Sequence, residues 1–120
     1  MKTYVICGLG FGDEGKGHVV AWLTRKVKAT TIIRYNGGPQ AGHNVVCKGE
    51  AHLFSQFGSG MAVRDEVKTF LSRQMVIAPF NLLKEAAVHE KQGIPHPLQR
   101  ISIDYRCPVV TIWHKILNRA

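Results

Sequence analysis

The run Gly8-Leu9-Gly10-Phe11-Gly12-Asp13-Glu14-Gly15-Lys16-Gly17 limits the fold more than any other segment, because half of its residues are glycine. Such a stretch has too few side chains to pack and too much backbone freedom to stay helical, so it must be a loop. Before it, Tyr4-Val5-Ile6-Cys7 reads as a buried strand bounded by Gly8. After it, Val20, Leu23 and Val27 fall at helical spacing, with Arg25, Lys26 and Lys28 where cations suit the end of a helix dipole. Thr30 to Tyr35 is β-branched and reads as the next strand. Strand, loop, helix and strand make a βαβ unit, and the expected framework is α/β: a P-loop-like, mostly parallel sheet flanked by helices.

A glycine loop in that place is built to hold phosphate. Gly10, Gly12 and Gly15 satisfy G-x-G-x-x-G, and Gly10 to Lys16 satisfies G-x-x-x-x-G-K. Both patterns aim backbone N–H groups and a helix N-terminus at an anion. A dinucleotide site also needs an acid roughly 20 residues on for the ribose, and none stands near Thr30 to Tyr35. Arg34 could serve a 2′-phosphate there, which keeps a nicotinamide dinucleotide phosphate open. Asp13 and Glu14 argue against a simple pyrophosphate cradle, since carboxylates repel phosphate unless a cation stands between. Gly17 replaces the Ser or Thr with which a P-loop holds Mg²⁺. The two departures explain each other if Asp13 is the metal ligand and Lys16 steadies a phosphate.

The second strand leads into another rigid loop, Asn36-Gly37-Gly38-Pro39-Gln40-Ala41-Gly42-His43-Asn44. Open α/β sheets bind ligands at the carboxyl ends of their strands, where both loops should sit. An Asp and a His facing one ligand there could remove a proton from one atom and stabilise negative charge on another. The other histidines (His18, His52, His89, His96, His114) have no metal-like spacing.

Further along, Val45 to Cys47 and His52 to Phe54 suggest a hairpin turning near Gly49. Gln74 to Ala78 reads as a strand ended by Pro79, Leu82 to Glu90 as a helix stopped by Gly93, and Arg100 to Asp104 as a strand. Val109 to Arg119 reads as a helix with no stop signal. The 120 residues suit one ordinary domain, with 45% apolar residues for a core and no run long enough to span a bilayer. The short apolar start is not a signal peptide, so a soluble cytoplasmic protein is expected. Cys7, Cys47 and Cys107 are odd in number and widely spaced, which fits neither a disulfide framework nor a zinc site. A net charge of +8 suits polyanions. The basic residues are scattered without a nucleic-acid-binding signature, and a nucleic acid partner is not expected.

At the two loops the sequence resembles the adenylosuccinate synthetase family. The resemblance rests on Gly12-Asp13-Glu14-Gly15-Lys16-Gly17, Arg34-Tyr35-Asn36-Gly37-Gly38 and Ala41-Gly42-His43. Phe54-Ser55-Gln56-Phe57-Gly58-Ser59-Gly60, Thr69-Phe70-Leu71-Ser72-Arg73 and Ile103-Asp104-Tyr105-Arg106-Cys107 resemble a divergent branch. That branch includes archaeal relatives and the phage enzymes that act on dGMP. The similarity covers essentially the whole chain, as the N-terminal part (residues 1–120) of a nucleotide-binding domain that is incomplete by itself.

The resemblance implies a ligase that joins L-aspartate to IMP with GTP (or ATP) and Mg²⁺. Asp13 would take the purine N1 proton and bind Mg²⁺, and the Gly42 carbonyl would complete the metal shell. His43 would act as the acid that stabilises the 6-oxygen while it accepts the γ-phosphoryl group. Gly12, Glu14, Gly15, Lys16 and Gly17, with Gly42 and His43, would surround phosphate, and Asn36, Gln40 and Ala41 would face the substrate nucleotide. Gln40 stands where the main branch has Asn. The phage dGMP enzymes usually lack an acid at position 13, so Asp13 favours IMP although the middle segment leans the other way. Also implied are a homodimer and no membrane partner. The family's later nucleotide, aspartate and guanine-reading segments are missing, which suggests either a truncated enzyme or a short non-catalytic nucleotide-binding relative. Half a sheet would expose an unpaired edge and apolar surface.

Overall fold

The computed structural model describes residues 2–12 and 14–117. Helix α1 (Lys16–Val27) follows the glycine loop directly. Its N-cap is Gly15 at φ 67°, a left-handed conformation open to glycine, and no side chain caps the first turn. Arg25 and Lys26 occupy its last turn, where they complement the dipole. Gly17, Ala21 and Thr24 form the buried stripe of this helix.

Three parallel strands form the main sheet: β1 (Thr31–Gly37), β4 (Lys68–Met75) and β5 (Ile101–Ile103), with β4 in the centre. β1 pairs with β4 from Thr31↔Lys68 to Gly37↔Met75, with an irregularity between Arg34 and Asn36 where the Ser72 hydroxyl donates to the Tyr35 carbonyl. Between them, β2 (His43–Cys47) and β3 (Glu50–Phe54) make an antiparallel hairpin. Lys48 (φ 53°) and Gly49 (φ 85°) both take positive φ at its two-residue turn, which matches the twist of the flanking strands. Helix α2 (Pro79–Lys91) crosses from β4 to β5, and a short helix α3 (Ile112–Leu117) follows. Among the described residues, no helix is long and apolar enough to cross a membrane.

The parallel α/β framework is as expected, but three elements differ. Tyr4–Cys7 forms no strand. A strand in a parallel sheet needs covering layers on both faces, and on β1 Ile33 and Tyr35 are 59% and 65% exposed. Without that cover, the few bonds of a four-residue ladder do not offset the entropy of ordering it. The second difference is β4, which starts at Lys68 rather than Gln74. Past β4, only Ile77 bridges to Val109, so Val109 continues the sheet instead of opening the last helix. The expected helix to Arg119 is seen as Ile112–Leu117, and residues 118–120 lie outside the described residues.

The core lies between α1, the hairpin, α2 and one face of the sheet, around Ala21, Ile32, Val45, Phe54, Phe57 and Met61. The segment after β3 is irregular yet buried, and an irregular buried backbone must find partners for its polar groups. Glu85 on α2 supplies them: its carboxylate accepts the amides of Ser55 (2.8 Å), Gln56 (2.9 Å) and Phe57 (3.2 Å). The buried Gln56 amide in turn grips the peptide of Ala78, accepting from its N–H and donating to its carbonyl. His89, one turn beyond Glu85, is enclosed by Phe54 and Phe57, its ring stacked 4.5 Å from the Phe54 centroid. Arg100 closes the far side with donors to the carbonyls of Val67, Pro95, Met61 and Arg64.

Burial works to raise the Glu85 carboxyl pKa, but the His89 contact and the amides of Gln56, Ser55 and Phe57 outweigh it. The group therefore lies below its ordinary value of 4.5. A depressed carboxyl contributes stability that is present above 4.5 and lost as pH falls through the native value. Glu85→Ala, which orphans three amides, is expected to cost about 3 kcal/mol or more at pH 7. Urea denaturation at pH 7 and pH 3.5 checks this: the wild type should lose stability on acidification and the variant should lose less.

Candidate functional site

The amides that open α1 and the C-terminal end of β1 meet in a cleft of about 190 Å³, lined by Lys16, Gly17, Arg34, Asn36, His43 and Ser59 with apolar walls from Ile6, Val20 and Ile32. Alternation along β1 puts Ile32, Arg34 and Asn36 on this face. His43 arrives from the hairpin, as the first residue of β2.

Gly17 makes the meeting possible. A Cβ there would stand 2.8 Å from His43 Cβ and 3.4 Å from Val45 Cγ2, so only a residue without a side chain lets the hairpin lie against the first turn of α1. This accounts for glycine where a P-loop carries a hydroxyl: the space is occupied by the imidazole-bearing residue. Ser59 locks the same turn by donating its hydroxyl to the Gly17 carbonyl (3.0 Å).

The cleft is electropositive. Burial, with the charges of Arg34 and Lys16, holds the His43 pKa below its ordinary 6.5, so the imidazole is neutral near pH 7. Arg34 is half-buried, and its Nη1 donates to the Phe57 carbonyl (3.1 Å). Glu14 provides the anion of the glycine loop. Its carboxylate pairs with Lys16 Nζ and accepts the Gly10 amide at 2.5 Å, and Lys16 followed by that amide lowers its pKa. A carboxylate thus takes a lysine and a backbone N–H, the donors a phosphate would use.

Of the residues expected from sequence, Lys16, Gly17, Asn36 and His43 come together in the cleft. Gln40, Ala41 and Gly42 stand on the exposed connection from β1 to β2, where the Ala41 amide donates to the Gly38 carbonyl (3.2 Å). Gly12 (φ 108°) and Gly15 shape the exposed glycine loop. Asp13, expected as general base and metal ligand, lies outside the described residues. Sequence reasoning gave Ser59 no part in the site. It treated Arg34 only as an alternative ribose-phosphate contact, although the period-2 alternation Ile32, Arg34, Asn36 would have placed it beside Asn36.

Residues 5–120 match the family model described as adenylosuccinate synthetase. Among relatives, the adenylosuccinate synthetase of Pseudoalteromonas atlantica is 40% identical over 119 residues, which is 99% of this chain and 27% of that protein. The enzyme of Pseudomonas syringae pv. syringae is 38% identical over the same coverage. The chain thus spans about a quarter of the length of the curated relatives it matches. The fold is shared with the fully ligated adenylosuccinate synthetase of Plasmodium falciparum (TM-score 0.74, 24% identity, 90% of this chain and 24% of that one). It is also shared with the succinoaminodeoxyadenylate synthetase of cyanophage S-2L, solved with dGMP and with dATP as energy donor (TM-score 0.71, 21% identity, 91% of this chain and 29% of that one).

The packing of His43 on Gly17 gives a direct test. Gly17→Ala should push β2 off the helix, costing about 1–3 kcal/mol of stability. With the imidazole less buried, the His43 titration midpoint should rise toward 6.5. NMR titration of the His43 ring reads this, and an unchanged midpoint in a folded variant would contradict the packing.

Proposed function

The chain belongs to the adenylosuccinate synthetase family, and from that premise we propose that it carries the phosphate loop and the acid/base pair of a purine ligase. The reaction is GTP- and Mg²⁺-dependent joining of L-aspartate to IMP, giving adenylosuccinate, GDP and phosphate. The observation that carries the reading is the seating of His43 against Gly17, one residue from Lys16, in a single electropositive cleft.

The chemistry needs a poor leaving group made into a good one. Asp13 accepts the N1 proton of the purine, which drives electron density onto the 6-oxygen. That oxygen attacks the γ-phosphorus, the bond to GDP breaks, and a 6-phosphoryl group results. The amine of aspartate then adds at C6 and expels phosphate. The His43 imidazole, neutral near pH 7, offers an N–H to the 6-oxygen as charge builds there. Lys16 and the uncapped amides at the start of α1 hold the phosphoryl oxygens once Lys16 leaves Glu14. The donor set for magnesium, the Asp13 carboxylate and the Gly42 carbonyl, consists of the hard oxygens that ion prefers, and when bound it would neutralise charge on the transferring phosphate. A second copy of the chain, as a homodimer, is part of the proposal.

Base choice rests on Asp13, whose carboxylate suits a purine without a 2-amino group. The middle segment that resembles the dGMP branch is engaged elsewhere: Gln56 is buried on Ala78 and Phe57 lies in the core, leaving only Ser59 at the cleft. IMP is therefore the proposed substrate over dGMP.

A cleft of about 190 Å³ is too small to enclose two nucleotides and an amino acid, since pockets for even one drug-sized ligand start near 300 Å³. These 120 residues alone are accordingly expected to form no adenylosuccinate, and detecting that product would refute the estimate. Calorimetric titration should show weak, Mg²⁺-dependent binding of GTP with IMP that collapses in Asp13→Ala. Binding indifferent to that change would leave only a basic phosphate-binding module. Preference for dGMP over IMP would reverse the base assignment.

A further inference from the structure

Among the described residues, burial acts on both Arg100 and Arg34, and the fold treats the two differently. Arg100 is buried, and its guanidinium donates to four backbone carbonyls, which accounts for it as a structural clamp. Arg34 donates to one, the Phe57 carbonyl, from Nη1. Among the described residues it makes no ion pair, and Nε and Nη2 have no hydrogen-bond partner. Among the described residues the carboxylate whose charge acts on Arg34 is Glu85, which is already committed to the amides of residues 55–57 and to His89. Burial lowers the Arg34 pKa, with Glu85 opposing it from a distance. A half-buried cation whose remaining donors still reach the cleft is available to an incoming anion.

The unmatched side of Arg34 belongs to the cleft that Lys16 and His43 also line. Phe57 fixes one edge of the planar fork, and the loop bearing that carbonyl is itself pinned by Glu85. A guanidinium held by one edge offers two parallel donors on the other, the geometry that grips two oxygens of a phosphate. Lys16 is a point charge and sets no such orientation.

We propose that Arg34 is a ligand-contacting residue of this cleft, binding phosphoryl oxygens through Nε and Nη2 while Lys16 holds the same group from the α1 side. The inference deepens the ligase reading and rests on it: the phosphoryl group is the one that reading puts beside His43.

The test is calorimetric titration of the 120-residue chain with inorganic pyrophosphate, for the wild type, Lys16→Ala, Arg34→Gln and Arg34→Lys. Arg34→Gln should weaken binding about tenfold or more. Arg34→Lys should recover only part of it, because the charge returns without the fork. Weakening by Lys16→Ala with wild-type affinity in Arg34→Gln overturns the Arg34 assignment and leaves the phosphate-loop reading standing. Failure of the wild type to bind, or indifference to both changes, removes that reading and this inference with it. If Arg34→Gln does not fold, Arg34→Lys decides: at least threefold weaker binding supports the bidentate contact, and unchanged affinity overturns it.

Discussion

The site depends on one absent side chain. At Gly17 the first turn of α1 and the first residue of β2 approach until a methyl group would be 2.8 Å from His43 Cβ. Any side chain there would hold the hairpin away and separate the imidazole from the lysine that precedes Gly17. Because Gly17 lies inside a helix and not in a left-handed turn, its value is space and not backbone freedom. The cost is a weaker helix start, and the hydrogen bond from Ser59 to the Gly17 carbonyl offsets part of it.

The rest of the molecule reads as support for that approach. The segment from Ser55 to Gly60 leaves the hairpin as irregular backbone and enters a single 3₁₀ turn at Ser59, yet it is largely buried and borders the cleft. Three polar side chains from outside the segment or within it resolve the conflict. Glu85 takes its amides, Gln56 ties it to the start of α2, and Arg100 gathers the carbonyls beyond it. Through Phe57 and Ser59 the same segment orients Arg34 and the opening turn of α1. A loop with its polar groups satisfied thereby forms one hydrogen-bonded wall of the cleft, opposite the two glycine-rich loops.

Charge gives the cleft its character. Lys16, Arg34 and His43 share a small volume, and among the described residues Glu14 is the carboxylate that answers them, through Lys16. Burial and the charges of Arg34 and Lys16 hold the imidazole neutral beside those cations. The chain belongs to the adenylosuccinate synthetase family and spans about a quarter of the length of the curated relatives it matches.

Local signals in the chain were enough for α1, β1, the hairpin, α2 and β5, since each carries its own period, its own turn residues or its own stop. They were enough too to single out the two glycine loops with Lys16 and His43, which the fold brings to one cleft. The first strand was misjudged: Tyr4–Cys7 has the composition of a buried strand, but burial needs a covering layer, and composition does not say whether one is present. β4 was misplaced for the opposite reason. Lys68, Ser72, Arg73 and Gln74 give it a poor strand signal, and it is a strand because β1 and β5 bond to it from both sides. Arg34 and Glu85 show the same limit. Sequence determined that a glycine loop precedes a helix and that a histidine follows a second glycine-rich turn. Tertiary structure alone decided that Gly17 admits that histidine, that Glu85 pins a loop some 30 residues earlier in the chain, and that Arg34 is left with donors to offer, because each depends on distances between residues far apart in the chain.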